Sequence, residues 1–226
     1  MEQMQILLAI LVLLPFVSAL LLALCGSDRM RRLIVYGSAG VLMISAVAFA
    51  VCFFSGENLQ LRFLQSGGII DHTMLALEAG FAVLITVLGI KYRRYYVAVL
   101  SIVQTVLTFV YELGGYKPAV QPYNLFTDQL TVIMVLIIAV VGTLITVYAV
   151  GYMRDYHNHH KEYTDRRRFF FAMLYVFLGA MFGLVLSNSL LWLYFFWEIT
   201  SLVSFLLIGY TRTKEAVQNS FRALWM

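Results

Sequence analysis

The chain has 226 residues, of which 62% are hydrophobic and only 12% are charged, and its formal net charge at pH 7 is +4. Soluble domains carry about 25% charged residues, so this composition excludes an ordinary soluble enzyme or binding domain. Apolar runs of about 18 residues or more recur, each long enough to cross a hydrocarbon core of about 30 Å. The sequence therefore predicts an all-α, polytopic transmembrane helix bundle, in which the positive charge is a topology signal and does not indicate nucleic-acid binding.

Seven apolar stretches are predicted to cross the bilayer. They comprise residues 6–24, 33–54, 73–90, 95–112, 128–153, 169–187 and 190–210. The third and fourth are short, and each contains an acid or ends at one. Before the third, the alternating stretch LQLRFL predicts a short strand at the membrane surface.

The positions of the basic residues test this arrangement. Of the 16 Lys and Arg residues, 14 fall in alternate connections and in the tail. These segments are residues 25–32, 91–94, 151–168 and 211–226. Because cytoplasmic loops are enriched in Lys and Arg, the pattern predicts an outside amino terminus and a cytoplasmic carboxyl terminus. The expected location is the inner (cytoplasmic) membrane of a cell, as a multi-pass protein.

The last predicted span contains an acid in the stretch WLYFFWEIT. Glu198 lies near the middle of that span, where a charged side chain costs about 2.5–3.5 kcal/mol on insertion scales. Helical spacing places Tyr194 and Ser201 on the same face, and both can hydrogen-bond a carboxyl group. We interpret Glu198 as a group that takes up and releases a proton. The alternative is a neutral side chain that only hydrogen-bonds a neighbouring helix.

The positions of two further acids, Glu78 and Asp128, indicate different roles for them. Glu78 is the sixth residue of the third span, closer to the outer interface, and is a second candidate for proton translocation. Interfacial capping or a helix contact is the favoured explanation for it. Asp128, preceded by Thr127, is predicted to be an N-terminal acid of the fifth helix.

Motifs for metal or cofactor binding are not expected to operate in this chain. The segment RDYHNHHKEYTDRRR contains His157, His159 and His160, but their spacing fits no closed zinc site and predicts a solvated loop. The arginines that end the segment are interpreted as a topology anchor. The sequence has no Walker loop, dinucleotide fingerprint or cysteine set for an iron–sulfur cluster, so we predict no cofactor, no metal and no catalytic residue.

Two long stretches carry a family resemblance. Residues 128–153, DQLTVIMVLIIAVVGTLITVYAVGYM, and residues 166–210, RRRFFFAMLYVFLGAMFGLVLSNSLLWLYFFWEITSLVSFLLIGY, resemble the antiporter-like proton-translocating subunits of respiratory complex I. They are most similar to its L-type subunit and to relatives in membrane-bound hydrogenases and Mrp-type antiporters. The RFF entry, the N-x-L-L turn and the W-E-x-x-S-L-x-S-x-L-L-I-G pattern carry the match. The resemblance divides the chain into transmembrane helices 1–4 with outside loops (residues 1–127) and an antiporter-like segment (residues 128–226).

The resemblance implies an ion-translocating, non-catalytic subunit of an oxidoreductase complex, either NADH:quinone oxidoreductase-like or a hydrogenase. It implies no cofactor of its own, partners that are other membrane subunits of a respiratory or hydrogenase complex, and H⁺ or Na⁺ as the ion. In that family the glutamate of the W-E motif, here Glu198, is a key charged residue of the proton path. It interacts there with a lysine on a later, broken helix.

The chain departs from the family pattern in two respects. The third and fourth spans have no counterpart in the ordinary L-type pattern, which favours the hydrogenase-linked branch. The sequence ends in TRTKEAVQNSFRALWM, with Val217, Phe221 and Leu224 on one helical face, before the helices that carry the family's lysines. The expectation is an N-terminal part of a larger or split subunit, with two alternatives: a subunit that borrows its partner charge, or an inactive remnant.

Two other functions compete with ion translocation. One is a structural or assembly subunit of the membrane that conducts no ions. The other is a transporter for organic substrates, which ranks third because the sequence shows no paired broken helices.

Overall fold

The computed structural model describes residues 2–56, 61–65, 69–93, 95–113, 123–160 and 164–225. Its helices are α1 (Glu2–Leu24), α2 (Asp28–Phe54), α3 (Ile69–Lys91), α4 (Tyr95–Leu113), α5 (Gln129–Ile137), α6 (Thr143–His159), α7 (Arg167–Leu186), α8 (Leu190–Ile208) and α9 (Lys214–Trp225). Its strands are β1 (Leu61–Gln65) and β2 (Tyr123–Thr127).

Six helical stretches of the described ranges are long and apolar enough to cross a membrane. A shorter apolar helix, Tyr95–Tyr111, corresponds to the fourth predicted span. Apolar runs of this length form helices because a bilayer offers no water to bond their peptide groups. The predicted all-α polytopic bundle is therefore confirmed, whereas the orientation of its termini stays a prediction, as does the domain boundary at residue 128.

The fifth span is longer than expected. It runs from Gln129 to His159 and contains a π-helical turn, Ile138–Gly142, between α5 and α6. The prediction of a solvated loop was therefore wrong for His157 and His159, which lie in the last turn of α6. Tyrosines at i, i+4 spacing stack along this end of the helix and extend it, with Tyr152 and Tyr156 ring centroids 6.2 Å apart.

The two strands form an antiparallel pair across a large sequence separation. Gln65 pairs with Tyr123, and Leu61 pairs with Thr127. The strand expected at LQLRFL is confirmed from Leu61 onward, while the first two residues of that stretch lie outside the described residues and its place at the membrane surface stays a prediction. Because α3 and α4 lie between the paired strands in the chain, they form a helical hairpin inserted into a β-hairpin.

The main core lies between α1, α2, α5 and α7. Its fully buried members include Leu11, Phe49, Val132 and Phe182. Glycines allow the close approach of helices here: at Gly142, in the π-helical turn, a Cβ atom would overlap the Leu178 side chain of α7.

A second apolar region joins α8 to its neighbours. α7 and α8 meet at Gly183, against which the Phe196 ring packs. Phe205 of α8 and Phe221 of α9 have ring centroids 5.0 Å apart, and Val97 of α4 joins this cluster. The side chain of Leu224, predicted on the same helical face as Phe221, lies outside the described residues.

Candidate functional site

The start of α8 is fixed by a short turn that also holds β2. Ser189 is the N-cap and accepts a hydrogen bond from the Trp192 amide at 3.3 Å. The preceding residue, Asn188, donates two hydrogen bonds of 2.8 Å. Its backbone N–H donates to the Asn124 carbonyl, and its side-chain Nδ2 donates to the Tyr123 carbonyl. Glu198 lies two to three turns further along this anchored helix.

Glu198 is buried, with 8% of its surface exposed. Gln104 of α4 donates a hydrogen bond from Nε2 to Glu198 Oε1. The second carboxyl oxygen, Oε2, is buried and has no hydrogen-bond partner among the described residues. No Lys or Arg in the described part of the chain forms an ion pair with Glu198. The acid is therefore held by a neutral amide.

Tyr194 lies one turn before Glu198 and links it to a second acid. The phenol is close enough to both the Glu198 and the Glu78 carboxyl groups for an electrostatic interaction with each. Tyr194 Oη is buried and makes no hydrogen bond of normal geometry within the described ranges. Glu78 is only 2% exposed, although its position in the sequence suggested the outer interface.

Helix packing brings these side chains together. α3 contacts α8 through Phe81 and Phe195, whose ring centroids are 5.8 Å apart, and Glu78 lies one turn from Phe81. We use the name Glu198 cluster for Glu78, Gln104, Tyr194 and Glu198, which come from α3, α4 and α8.

Ser201 does not bond to the acid. It is half-buried and makes no hydrogen bond among the described residues. Its neighbours on α8, Thr200 and Ser204, bond to carbonyls of their own helix at 2.7 and 2.8 Å. A role for Ser201 in proton translocation stays a prediction.

Gln104 was missed by the sequence analysis, but a signal for it exists. α4 carries a polar face with the i, i+3, i+4, i+7 spacing of one helix side: Ser101, Gln104, Thr105 and Thr108. Ser101 donates to the Ala82 carbonyl of α3 at 3.2 Å. Thr105 and Thr108 bond to carbonyls one turn back on α4. Thus Gln104 is the member of this face that reaches α8.

The cluster has the chemistry of proton exchange. A glutamine amide donates to an ionised carboxylate, and its own oxygen accepts from a protonated one. Both protonation states of Glu198 can therefore be hydrogen-bonded by the same side chain. Among the described residues, no group of three or more His, Cys, Asp or Glu side chains is placed to hold a metal ion.

Comparison with known families matches two segments of the chain. Residues 121–170 match the family described as NADH-ubiquinone oxidoreductase (complex I), chain 5 N-terminus. Residues 187–226, which include Glu198, match the family described as NADH:quinone oxidoreductase/Mrp antiporter, TM.

Curated relatives agree with these matches. Na(+)/H(+) antiporter subunit A1 of Staphylococcus haemolyticus is 34% identical over 122 residues, which cover 54% of this chain and 14% of the relative. The subunit A1 of Staphylococcus aureus is 28% identical over 161 residues, which cover 64% of this chain and 19% of the relative. The chain thus spans less than a fifth of the length of these relatives. The matched segments are thus similar to the antiporter-like membrane subunits of the family that includes the L-type subunit of complex I and the Mrp antiporters.

Proposed function

We propose that the chain is part of a proton- or cation-translocating subunit of an energy-converting membrane complex, such as a complex I-like NADH:quinone oxidoreductase or a membrane-bound hydrogenase. In this proposal it lies in the inner (cytoplasmic) membrane beside other membrane subunits and moves H⁺ or Na⁺. The similarity to Na(+)/H(+) antiporter subunits A1 supports the ion chemistry.

The observation that carries the proposal is the burial of Glu198 beside Gln104 and Tyr194. Intramembrane acids are expensive and commonly face a partner or a wet cavity that serves ion movement. Here the acid has a neutral donor on one oxygen and a buried, unbonded second oxygen. Glu198 would therefore accept and release the proton at Oε2, while Gln104 orients the carboxyl group through Oε1.

Tyr194 and Glu78 extend the path in this proposal. The phenol lies within electrostatic reach of both acids, and in this proposal a water molecule would complete the hydrogen-bonded link between them. The lysine that the family resemblance implies would come from a neighbouring segment or subunit.

The test is Glu198→Gln in the assembled membrane complex, with ion-coupled transport as the measurement. We expect transport to fall at least about tenfold, because an amide cannot exchange a proton and efficient general acid–base groups contribute at least that factor. Glu215→Gln, the same change at an exposed acid of α9, is the matched control and leaves transport unchanged. Wild-type transport by Glu198→Gln contradicts the proposal.

A structural role is the second candidate, and the Gln104–Glu198 hydrogen bond favours it. That bond ties α4 to α8, so the acid would serve to dock the inserted hairpin. This role predicts that Glu198→Gln lowers the amount of assembled complex while transport per assembled complex is preserved. Normalising transport to the assembled complex therefore separates the two functions.

A further inference from the structure

A polar cavity of about 470 Å³ lies at the arginine-rich end of the bundle, and none of its lining residues belongs to the Glu198 cluster. It is bounded by the start of α2 and the start of α7. Its charged lining residues are Arg31, Arg166, Arg167, Arg168, Asp28 and Asp165. Four arginines against two aspartates leave an excess of positive charge.

Ion pairs within the cavity neutralise only part of this positive charge. Arg31 pairs with Asp28 at 2.7 Å, and Arg167 contacts Asp165 at 2.7 Å and Asp28 at 3.4 Å. Arg166 and Arg168 have no carboxylate partner within the described ranges. Arg166 instead donates to the Tyr210 carbonyl at 3.3 Å. Partial burial and the nearby Arg212 lower the pKa of Arg166.

Arg31 is the most informative residue of the cavity because of its burial and its hydrogen bonding. It is only 6% exposed, and its Nε has no hydrogen-bond partner among the described residues. Lys and Arg are almost never this buried unless their charge is compensated. Asp28, its one ion-pair partner here, is 58% exposed on its side chain and is shared with Arg167. The Arg31 Cζ also lies 5.8 Å from the centre of the Phe171 ring, so the cavity contains a buried arginine whose Nε is the donor left unbonded among the described residues.

Two helix N-termini add to the positive potential. α2 begins at Asp28, and its N-cap residue, Ser27, makes no side-chain capping bond. α7 begins at Arg167, whose backbone amide donates to Asp165 Oδ1 at 3.0 Å. The aligned peptide dipoles place partial positive charge at both starts, which favours anions with phosphate-like oxygens.

Apolar surface adjoins the cavity. Leu24, the last residue of α1 and two positions before the cavity-lining Gly26, is 74% exposed. In a bilayer such side chains contact lipid tails. A ligand that has both a phosphate and acyl chains fits this juxtaposition better than a free anion.

We propose that this cavity binds the phosphate headgroup of an anionic phospholipid. The phosphodiester would lie between Arg31 and Arg168, with its acyl chains along Leu24. Basic pockets between transmembrane helices on the cytoplasmic side are suited to such headgroups, and the cytoplasmic leaflet is rich in anionic lipid. The predicted topology places the cavity at that leaflet. The inference does not depend on ion translocation.

The test uses the full chain in detergent micelles, with short-chain phosphatidylglycerol and phosphatidylcholine as probes and thermal stability as the measurement. We expect phosphatidylglycerol to raise Tm at lower concentrations than phosphatidylcholine does. Arg31→Gln and Arg168→Gln are each expected to weaken the apparent phosphatidylglycerol affinity about fivefold. Arg154→Gln, an exposed arginine near the same end that does not line the cavity, is the control and keeps the affinity.

Three outcomes would overturn the proposal. An equal rise in Tm with the two lipids would show that the site does not distinguish lipids by the charge of their headgroups. Equal weakening by all three substitutions would show unspecific surface attraction. Inorganic phosphate that stabilises the lipid-free protein as strongly as phosphatidylglycerol would identify a free-anion site. If Arg31→Gln fails to fold, the phosphatidylglycerol affinity of Arg168→Gln, a change at an exposed residue, provides the test.

Discussion

Gln104 of α4 donates a hydrogen bond to Glu198 of α8, although the two residues are 94 positions apart in the chain. α4 belongs to the helical hairpin inserted between the paired strands β1 and β2. The contact to the buried acid therefore comes from the inserted hairpin, which the family resemblance led us to expect has no counterpart in the ordinary L-type pattern. This gives the insertion a chemical role at the candidate site.

Gln104→Leu tests that role. The substitution removes the donor to Glu198 Oε1 and leaves a buried carboxyl group unbonded, which costs about 1–3 kcal/mol. We expect a lower Tm of the chain in detergent and slower ion-coupled transport in the assembled complex. Thr105→Val, on the same face of α4 but bonded only to its own helix at 2.7 Å, is the matched control. A Tm for Gln104→Leu equal to that of the control would contradict the assignment.

Gly183→Ala tests the packing that holds α8 in place. A Cβ atom at this position of α7 would overlap the Phe196 ring, which is itself only 3% exposed. Overpacking of this kind typically costs about 1–3 kcal/mol, so we expect a clear fall in Tm. Gly151→Ala in α6 meets no atom within 4 Å and should leave Tm unchanged or raise it. Equal Tm values for the two variants would exclude close helix contact at Gly183.

The sequence predicted the parts of this fold that depend on hydropathy and on single conspicuous residues. Apolar runs located the membrane-crossing helices, and Glu198 was visible as an acid within one of them. The pairing of β1 with β2 was not predictable because the strands are separated by two helices, and local patterns carry no information about such register. Gln104 escaped notice because an uncharged amide costs less in a membrane than a carboxylate and so stands out less. The burial of Glu78 depends on the packing of α3 against α8, which hydropathy does not encode.

Asp128 provides a test of the helix start that the sequence did predict. It is the N-cap of α5 and accepts a hydrogen bond from the Thr131 amide at 2.8 Å, which lowers the pKa of Asp128. Asp128→Ala should cost about 1 kcal/mol, whereas Asp128→Asn keeps an accepting oxygen and should cost much less. Thermal unfolding of the three proteins at neutral pH measures this difference. Equal losses for both variants would indicate that charge, and not capping, is what Asp128 contributes.

Asp165 should contribute a pH-dependent part of the stability. The Arg167 side chain, which donates hydrogen bonds to it, lowers the pKa of Asp165 from 3.8 to about 2. Because the folded pKa lies below the unfolded one, this stabilisation is present above pH 3.8 and is lost as pH falls toward 2. The side chain is half exposed, so the contribution is at most about 1 kcal/mol.

The measurement is the Tm of wild type and Asp165→Asn as a function of pH. We expect a small difference at neutral pH that shrinks as the pH falls toward 2. Asp155→Asn, at a more exposed acid with only a 3.7 Å contact to Arg154, should show little difference at any pH. A gap for Asp165→Asn that widens on acidification would reverse the predicted sign.

Removing the inserted hairpin tests whether the bundle can fold without α3 and α4 while the candidate site cannot work without them. The main core contains residues of α1, α2, α5, the π-helical turn and α7, and none of its described members comes from α3 or α4. The register pairs Gln65 with Tyr123, so replacing residues 66–122 by Asn-Gly would join the strands through a two-residue turn suited to an antiparallel pair. We expect a monodisperse, cooperatively unfolding protein by size-exclusion chromatography and thermal denaturation. In the assembled complex, ion-coupled transport should nevertheless be lost, because Glu198 no longer has Gln104 or Glu78 nearby. An aggregated product would show that the insertion is part of the folding unit, and full transport would show that the acid works without it.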